Sequence, residues 1–230
     1  MSDARRRALA QFFVDEPTAP QLTATDDHHL RRVLRARPGE HVVVCDGHGR
    51  WALATVGPDG LDRVSEVCVD PAPRDTTLYL APLKGDRSEW AVAKATELGV
   101  TRVVPLRTTR AVVRLDADSE ERLVQRWTRV AREAAAQARR PYLLEIGSAT
   151  RVADVPATVA VADFGGPHPW SRVDAVAIGP EGGWAPDEWD ATRPRVSLGA
   201  LVLRAETAAL AAATLMTLGR LDGGVGEGGK

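Results

Sequence analysis

The chain has 230 residues, 44% of them hydrophobic and 27% charged, with a formal net charge of −1. That length predicts one large domain or two small ones, and that composition belongs to a globular protein rather than a disordered chain. No apolar run approaches the ~20 residues of a bilayer-spanning helix, and the basic N-terminus leads into no sustained apolar stretch, so neither a membrane span nor a secretory signal is expected.

The first seventy residues read mostly as β structure. Residues 26–35 predict a short helix, with the Asp26-Asp27 pair at its N-terminal end and Leu30, Val33 and Leu34 on one side. A turn at 37–40 then leads into a strand over 41–46. A tight Gly47-His48-Gly49 turn returns the chain through a strand over 51–56. After a turn at 57–60, residues 63–69 predict a further strand. Short strands at this spacing suggest a small barrel. Cys45 and Cys68 lie in these strand-like runs without metal-ligand spacing, and are expected to be reduced core residues of a cytoplasmic protein. Residues 70–74 contain two prolines and predict a linker.

Beyond it, strands and helices alternate. A strand over 76–81 precedes a helix over 88–98 that Gly99 ends, with Val92, Ala95 and Leu98 on its apolar side. A strand over 102–106 precedes a long helix over 119–139, whose apolar stripe is Leu123, Trp127, Val130, Ala131 and Ala134. Strands follow over 158–162, 174–178 and 195–198. Pro186-Asp187-Glu188 suits the opening of a short helix, with proline in the first turn and acids at the positive end of the dipole. Residues 205–218 are apolar on every side, which predicts a helix buried in a core or an interface. The glycine-rich residues 223–230 read as a flexible tail. The second part is therefore α/β with a largely parallel sheet, and ligands in such folds sit beyond the carboxyl ends of the strands. That points to the loops after Ala162, Ile178 and Leu198.

Charge is unevenly spread. Residues 102–151 hold eleven arginines, no lysine and six acids, a surplus of five positive charges. Such a segment either attracts a polyanion or is a solvated helix face in an arginine-rich chain; only three lysines are present in all.

Three segments could carry chemistry. Ile178-Gly-Pro-Glu-Gly-Gly-Trp184 follows an apolar strand, and its glycines let backbone approach a ligand closely. It lacks the spacing of a dinucleotide fingerprint or a phosphate loop. Trp184 beside it is a possible ligand wall. Leu198-Gly199 leads into Leu203-Arg204-Ala-Glu206-Thr207, where two charges stand among apolar neighbours and need partners or a role. Lys84-Gly-Asp-Arg87 follows the first strand of the second part and could hold phosphate. The five histidines form no metal-ligand pattern, and no Gly-x-Ser-x-Gly nucleophile elbow is present.

Together these segments resemble the ribosomal RNA small subunit methyltransferase E family. The resemblance rests on Ile178-Gly-Pro-Glu-Gly-Gly183, on Leu198-Gly199 with Leu203-Arg-Ala-Glu-Thr-Ala208, and on Lys84-Gly-Asp-Arg87 with Lys94-Ala-Thr-Glu-Leu-Gly-Val100. His29 with Val33-Leu34-Arg35, and Trp127, Glu133, Gln137 and Arg140, fit the same pattern, so it runs from about His28 to Leu218. It implies an α/β fold of the SPOUT class: a PUA-like β-barrel over 1–72 and a methyltransferase domain with a trefoil knot over 73–222. It further implies a homodimer in the cytoplasm, S-adenosylmethionine as cofactor, and methylation of uracil N3 at one uridine of 16S ribosomal RNA, as free RNA or in the assembled small subunit. No metal and no membrane are implied.

By the same resemblance Asp163, Phe164, Ile178, Gly179, Glu181, Gly182, Gly183, Leu198, Gly199 and Leu203 would hold the cofactor. Arg204, Glu181 and Glu206 are the catalytic candidates. Arg31, Arg32, Arg35, Lys84, Arg87 and Arg110 are the candidates for RNA phosphates. The family often has arginine where Leu201 stands, glutamine where Ala93 stands, and Glu-Gln-Ser where Ala136-Gln137-Ala138 stands. Two rival readings are a knotted methyltransferase acting on another RNA atom, such as ribose O2′, and an RNA-binding protein without catalysis.

Overall fold

The computed structural model describes residues 2–63, 65–167 and 169–218. His168 and the expected tail lie outside the described residues. The chain divides into two compact units: the residues up to Pro73 with Arg132–Leu143, and Arg74–Ala131 with the residues from Leu144 on.

The first unit holds helix α1 (Asp3–Arg7), strand β1 (Gln11–Phe13), helix α2 (Ala24–His28), and strands β2 (His41–Cys45), β3 (Arg50–Val56), β4 (Leu61–Arg63) and β5 (Cys68–Val69). The sheet order is β1-β2-β3-β4, with β5 also on β3; β1 and β2 are parallel and the other pairs antiparallel. The side-chain period of two divides the apolar run of β2 between two cores. Val42 and Val44 pack with Phe12, Leu30, Ala52 and Ala54. Val43 and Cys45 pack with Ala8, Phe13, Trp51 and Ala135.

Three expectations need correction here. The single strand expected over 63–69 is two short strands, and between them the Ser65 Oγ accepts the Leu53 N–H at 2.9 Å in place of a ladder bond. The helix expected over 26–35 is α2 followed by a π turn, His29–Val33. The wider turn rotates Val33 off the apolar stripe, leaving it 60% exposed while Leu30 is fully buried. Cys45 is a free core thiol, and burial raises its pKa to about 12; Cys68 is free but exposed on the two-residue β5.

The second unit holds β6 (Thr77–Leu80), α3 (Arg87–Glu97), β7 (Arg102–Arg107), α4 (Ala117–Gln137, up to Ala131), β8 (Glu145–Ile146), β9 (Thr150–Arg151), β10 (Ala160–Ala162), β11 (Ala175–Ile178), β12 (Arg195–Val196) and α5 (Ala205–Thr217). Among the described residues its sheet has seven strands, all parallel, in the order β12-β10-β11-β6-β7-β8, with β9 also on β7. Both faces are covered, as a parallel sheet requires. Leu78, Leu80, Val103, Val176 and Ile178 meet α3, α5 and the Leu123-Trp127-Ala131 stripe of α4. Tyr79, Val104, Val161 and Ala177 point the other way, onto Val152, Val155 and Trp189.

The chain begins this sheet at β6, builds outward through β7 and β8, then crosses to the opposite side at β10, inserts β11 between β10 and β6, and ends with β12 at the far edge. The order therefore reverses between β6 and β11, where α/β sheets open a crevice. Within this unit α5 buries Ala205, Ala209, Ala212, Ala213 and Met216. The strand expected over 195–198 ends at Val196. No helix opens at Pro186: Asp187 takes a left-handed backbone (φ 59°), which a right-handed helix excludes.

Candidate functional site

The loops that follow β10, β11 and β12 meet in one cleft of about 1100 Å³ at the carboxyl ends of the sheet. β10 delivers Asp163 and Phe164, β11 delivers Gly179, Pro180 and Glu181, and the segment after β12 delivers Leu198, Gly199 and Leu203. The loop after β11 folds back on itself. Trp184 packs over Gly179, where a Cβ would come within 3.0 Å of the indole, and its Nε1 donates to the Ala162 carbonyl at 3.0 Å. Trp184 also meets the buried Trp189 edge to face, with ring centroids 5.2 Å apart. Gly183 (φ 66°) has nothing near its absent Cβ, so the loop offers open backbone to the cleft.

Charges line this cleft in pairs. Glu181 is bound by Arg87, whose Nε donates to the Lys84 carbonyl at 3.0 Å. Asp163 is bound by Arg195 from the neighbouring strand β12. Arg110, on the segment after β7, donates to the Gly182 carbonyl at 3.2 Å. Arg204 stands immediately before α5, exposed and lining the cleft, and its side chain makes no capping bond to the helix.

Nine of the ten residues expected at a cofactor line this one cavity: Asp163, Phe164, Ile178, Gly179, Glu181, Gly183, Leu198, Gly199 and Leu203. Gly182 instead backs onto Arg110, whose Cβ would lie 3.5 Å from a Cβ added at Gly182. Arg204 and Glu181 also lie in the lining, whereas Glu206 does not; its Oε2 is buried without a hydrogen-bond partner among the described residues. Of the expected phosphate ligands, Arg87 and Arg110 line the cleft and Lys84 is exposed nearby in the loop after β6. Arg31, Arg32 and Arg35 belong to the other unit, where Arg31 pairs with Asp27 at 2.8 Å.

Several arginines of the basic segment are already engaged. Arg107 binds Glu120 at 2.5 Å, Arg126 binds Glu89, and Arg132 donates to the Phe13 carbonyl at 3.1 Å. Leu201 and Val202 line the cleft within the expected Leu198–Leu203 loop, whereas Arg195 lines it without having been expected there. A charge opening an otherwise apolar strand was the available signal for Arg195. No group of three or more metal-ligating side chains occurs among the described residues.

An RNA methyltransferase domain model matches residues 70–217, and an RNA methyltransferase PUA domain model matches residues 22–62. Ribosomal RNA small subunit methyltransferase E of Mycobacterium bovis is 33% identical over 87% of this chain and 88% of its own. The Synechocystis protein of that name is 34% identical over 89% and 74%. Among solved structures, a Legionella pneumophila methyltransferase in complex with the bound cofactor SAM superposes with a TM-score of 0.78 at 26% identity. That match covers 91% of this chain and 97% of the other. The small subunit methyltransferase E of Neisseria gonorrhoeae bound to S-adenosyl methionine shares the fold, with a TM-score of 0.73 at 24% identity over 90% and 96% of the two chains.

Proposed function

This chain belongs to the ribosomal RNA small subunit methyltransferase E family, and from that premise we propose that it methylates ribosomal RNA with S-adenosylmethionine, at N3 of one uridine in the 16S molecule. The convergence of three strand-end loops on a single cleft carries the reading. Open glycine backbone, the Trp184 wall and the apolar Leu198 and Leu203 suit a ligand that is part aromatic base and part aliphatic chain. In this reading Asp163, Phe164, Ile178, Gly179, Glu181, Gly183, Leu198, Gly199 and Leu203 hold the cofactor, with Gly182 braced behind them. The cofactor, when bound, supplies an electrophilic methyl group.

The protein's own task is to place uracil N3 in line, at roughly 3–3.5 Å, and to manage its proton. N3 is protonated at neutral pH and poorly nucleophilic until that proton leaves. The guanidinium of Arg204, a residue that lines the cleft, stabilises negative charge developing on a uracil carbonyl. Glu181 lines the cleft and Glu206 does not, which supports Glu181 as the carboxylate that positions or accepts the N3 proton. The base leaves its stack to reach the cleft, and Arg31, Arg32, Arg35, Lys84, Arg87 and Arg110 hold phosphates. A closed N-terminal barrel, a trefoil knot, a homodimer and a cytoplasmic setting complete the proposal.

Calorimetric titration with S-adenosylmethionine tests it, with Gly183→Val as control because that side chain would strain a left-handed backbone at the cleft. Saturable binding to the wild type, lost in the variant, followed by N3-methyluridine in digests of treated small-subunit RNA, is the expected result. Methyl on ribose would support the 2′-O reading. No binding with or without small subunits would leave an RNA-binding protein without catalysis.

A further inference from the structure

We propose that Glu188 is a positioning residue for the cleft: its carboxylate clamps the loop after β7 to the loop after β11 and so sets the wall against which the cofactor lies. The inference rests on the reading of the cleft as a cofactor site. Glu188 has one bond from each loop. The Thr109 N–H donates to its Oε1 at 2.5 Å, and the Ala185 N–H donates to its Oε2 at 2.8 Å. Both are charge-assisted, and both oxygens are used.

The two loops do not follow neighbouring strands. β6 lies between β7 and β11, so the clamp spans two strand spacings, roughly 10 Å, across the carboxyl end of β6. A second tie runs in parallel, from Arg110 to the Gly182 carbonyl at 3.2 Å. Around the clamp, Arg110, Gly183 and Trp184 through Asp187 all line the cleft. Local order brings Glu188 to this place. Asp187 turns left-handed (φ 59°), and the next residue, Trp189, is buried against Trp184. The acid that suits a helix N-terminus by sequence thus binds the N–H of another loop instead.

Neutral Glu188→Gln keeps the size of the side chain but offers one oxygen for two N–H donors and turns an NH₂ toward one of them. Calorimetry with S-adenosylmethionine on the full chain should show its Kd raised about tenfold, the order expected for one lost charge-assisted bond. The kcat on small-subunit RNA at saturating cofactor should stay within about twofold, because positioning of the cofactor is restored at saturation. Arg110→Ala should weaken cofactor binding too, and the double variant should be less impaired than the product of the two single losses, because both side chains act on one loop pair. Glu188→Ala should weaken binding further; if it does not fold, Glu188→Gln alone carries the test. A Glu188→Gln Kd equal to wild type, a fall in kcat at saturation, or fully multiplicative losses in the double variant would overturn the proposal. Wild-type protein that binds no S-adenosylmethionine would instead overturn the reading of the cleft, and this proposal with it.

Discussion

Arg204 is an exposed cation at the cleft, on extended backbone (φ −64°, ψ 152°), with no capping bond from its side chain. Its neighbours in charge differ: Arg87 and Arg195 are bound to Glu181 and Asp163. Replacing Arg204 by alanine should therefore lower methyl transfer by about 10²–10³-fold, the loss typical of removing one preorganised donor to a developing anion. Cofactor affinity should stay within a few-fold. Single-turnover methylation beside calorimetry checks this, and parallel loss of both would remove the catalytic assignment. The glycines and Arg204 were legible in the sequence, because a missing Cβ and a charge among apolar neighbours are local facts. The pairing of Glu181 with Arg87 was not, because the partners lie far apart in the chain and meet only through the packing of β11 on β6.

At the scale of elements, the N-terminal helix α1 shows how a charged residue becomes structural. Arg5 is 1% exposed, binds Asp70 at 2.6 Å, donates to the Arg139 carbonyl and lies over the Trp51 ring at 4.8 Å. Burial tends to raise the Asp70 pKa, but hydrogen bonds from Arg5 and Trp51 outweigh it and hold the carboxyl below its ordinary 3.8. A depressed acid contributes stability above its unfolded value and loses it as pH falls through the folded one. Arg5→Ala should thus cost about 1–3 kcal/mol at pH 7, discounted for the solvent that reaches Asp70. The gap from wild type should narrow below pH 3.8 in urea titrations. Sequence alone reads residues 70–74 as a linker, and two prolines support that. The same stretch opens with a carboxylate whose oxygens and carbonyl are bound by Arg5, Trp51 and Tyr142. Proline content reports on backbone freedom and says nothing of such side-chain ties.

At the scale of the whole molecule, each unit rests on a sheet covered on both faces, and Trp127 is the largest fully buried side chain among the described residues. Trp127→Ala should destabilise the unit of the parallel sheet by about 3–5 kcal/mol through the cavity it leaves. Trp127→Phe should cost much less, since it also removes an indole N–H that is buried without a hydrogen-bond partner among the described residues. Urea midpoints of the two variants give the comparison, and equal losses would mean that volume alone matters there. By itself the sequence determined the α/β alternation, most strand and helix positions to within a residue or two, and the glycine loops that reach the cleft. These depend on side-chain period and backbone stereochemistry, which near neighbours set. Only the tertiary structure decided that Val33 faces water, that Glu206 stands off the cleft, and that Glu188 binds the loop after β7 rather than opening a helix. The first follows from the π turn at His29–Val33; the other two depend on strand order and on the anchoring of Trp184 and Trp189, and a one-dimensional period contains no information about which strand lies beside which.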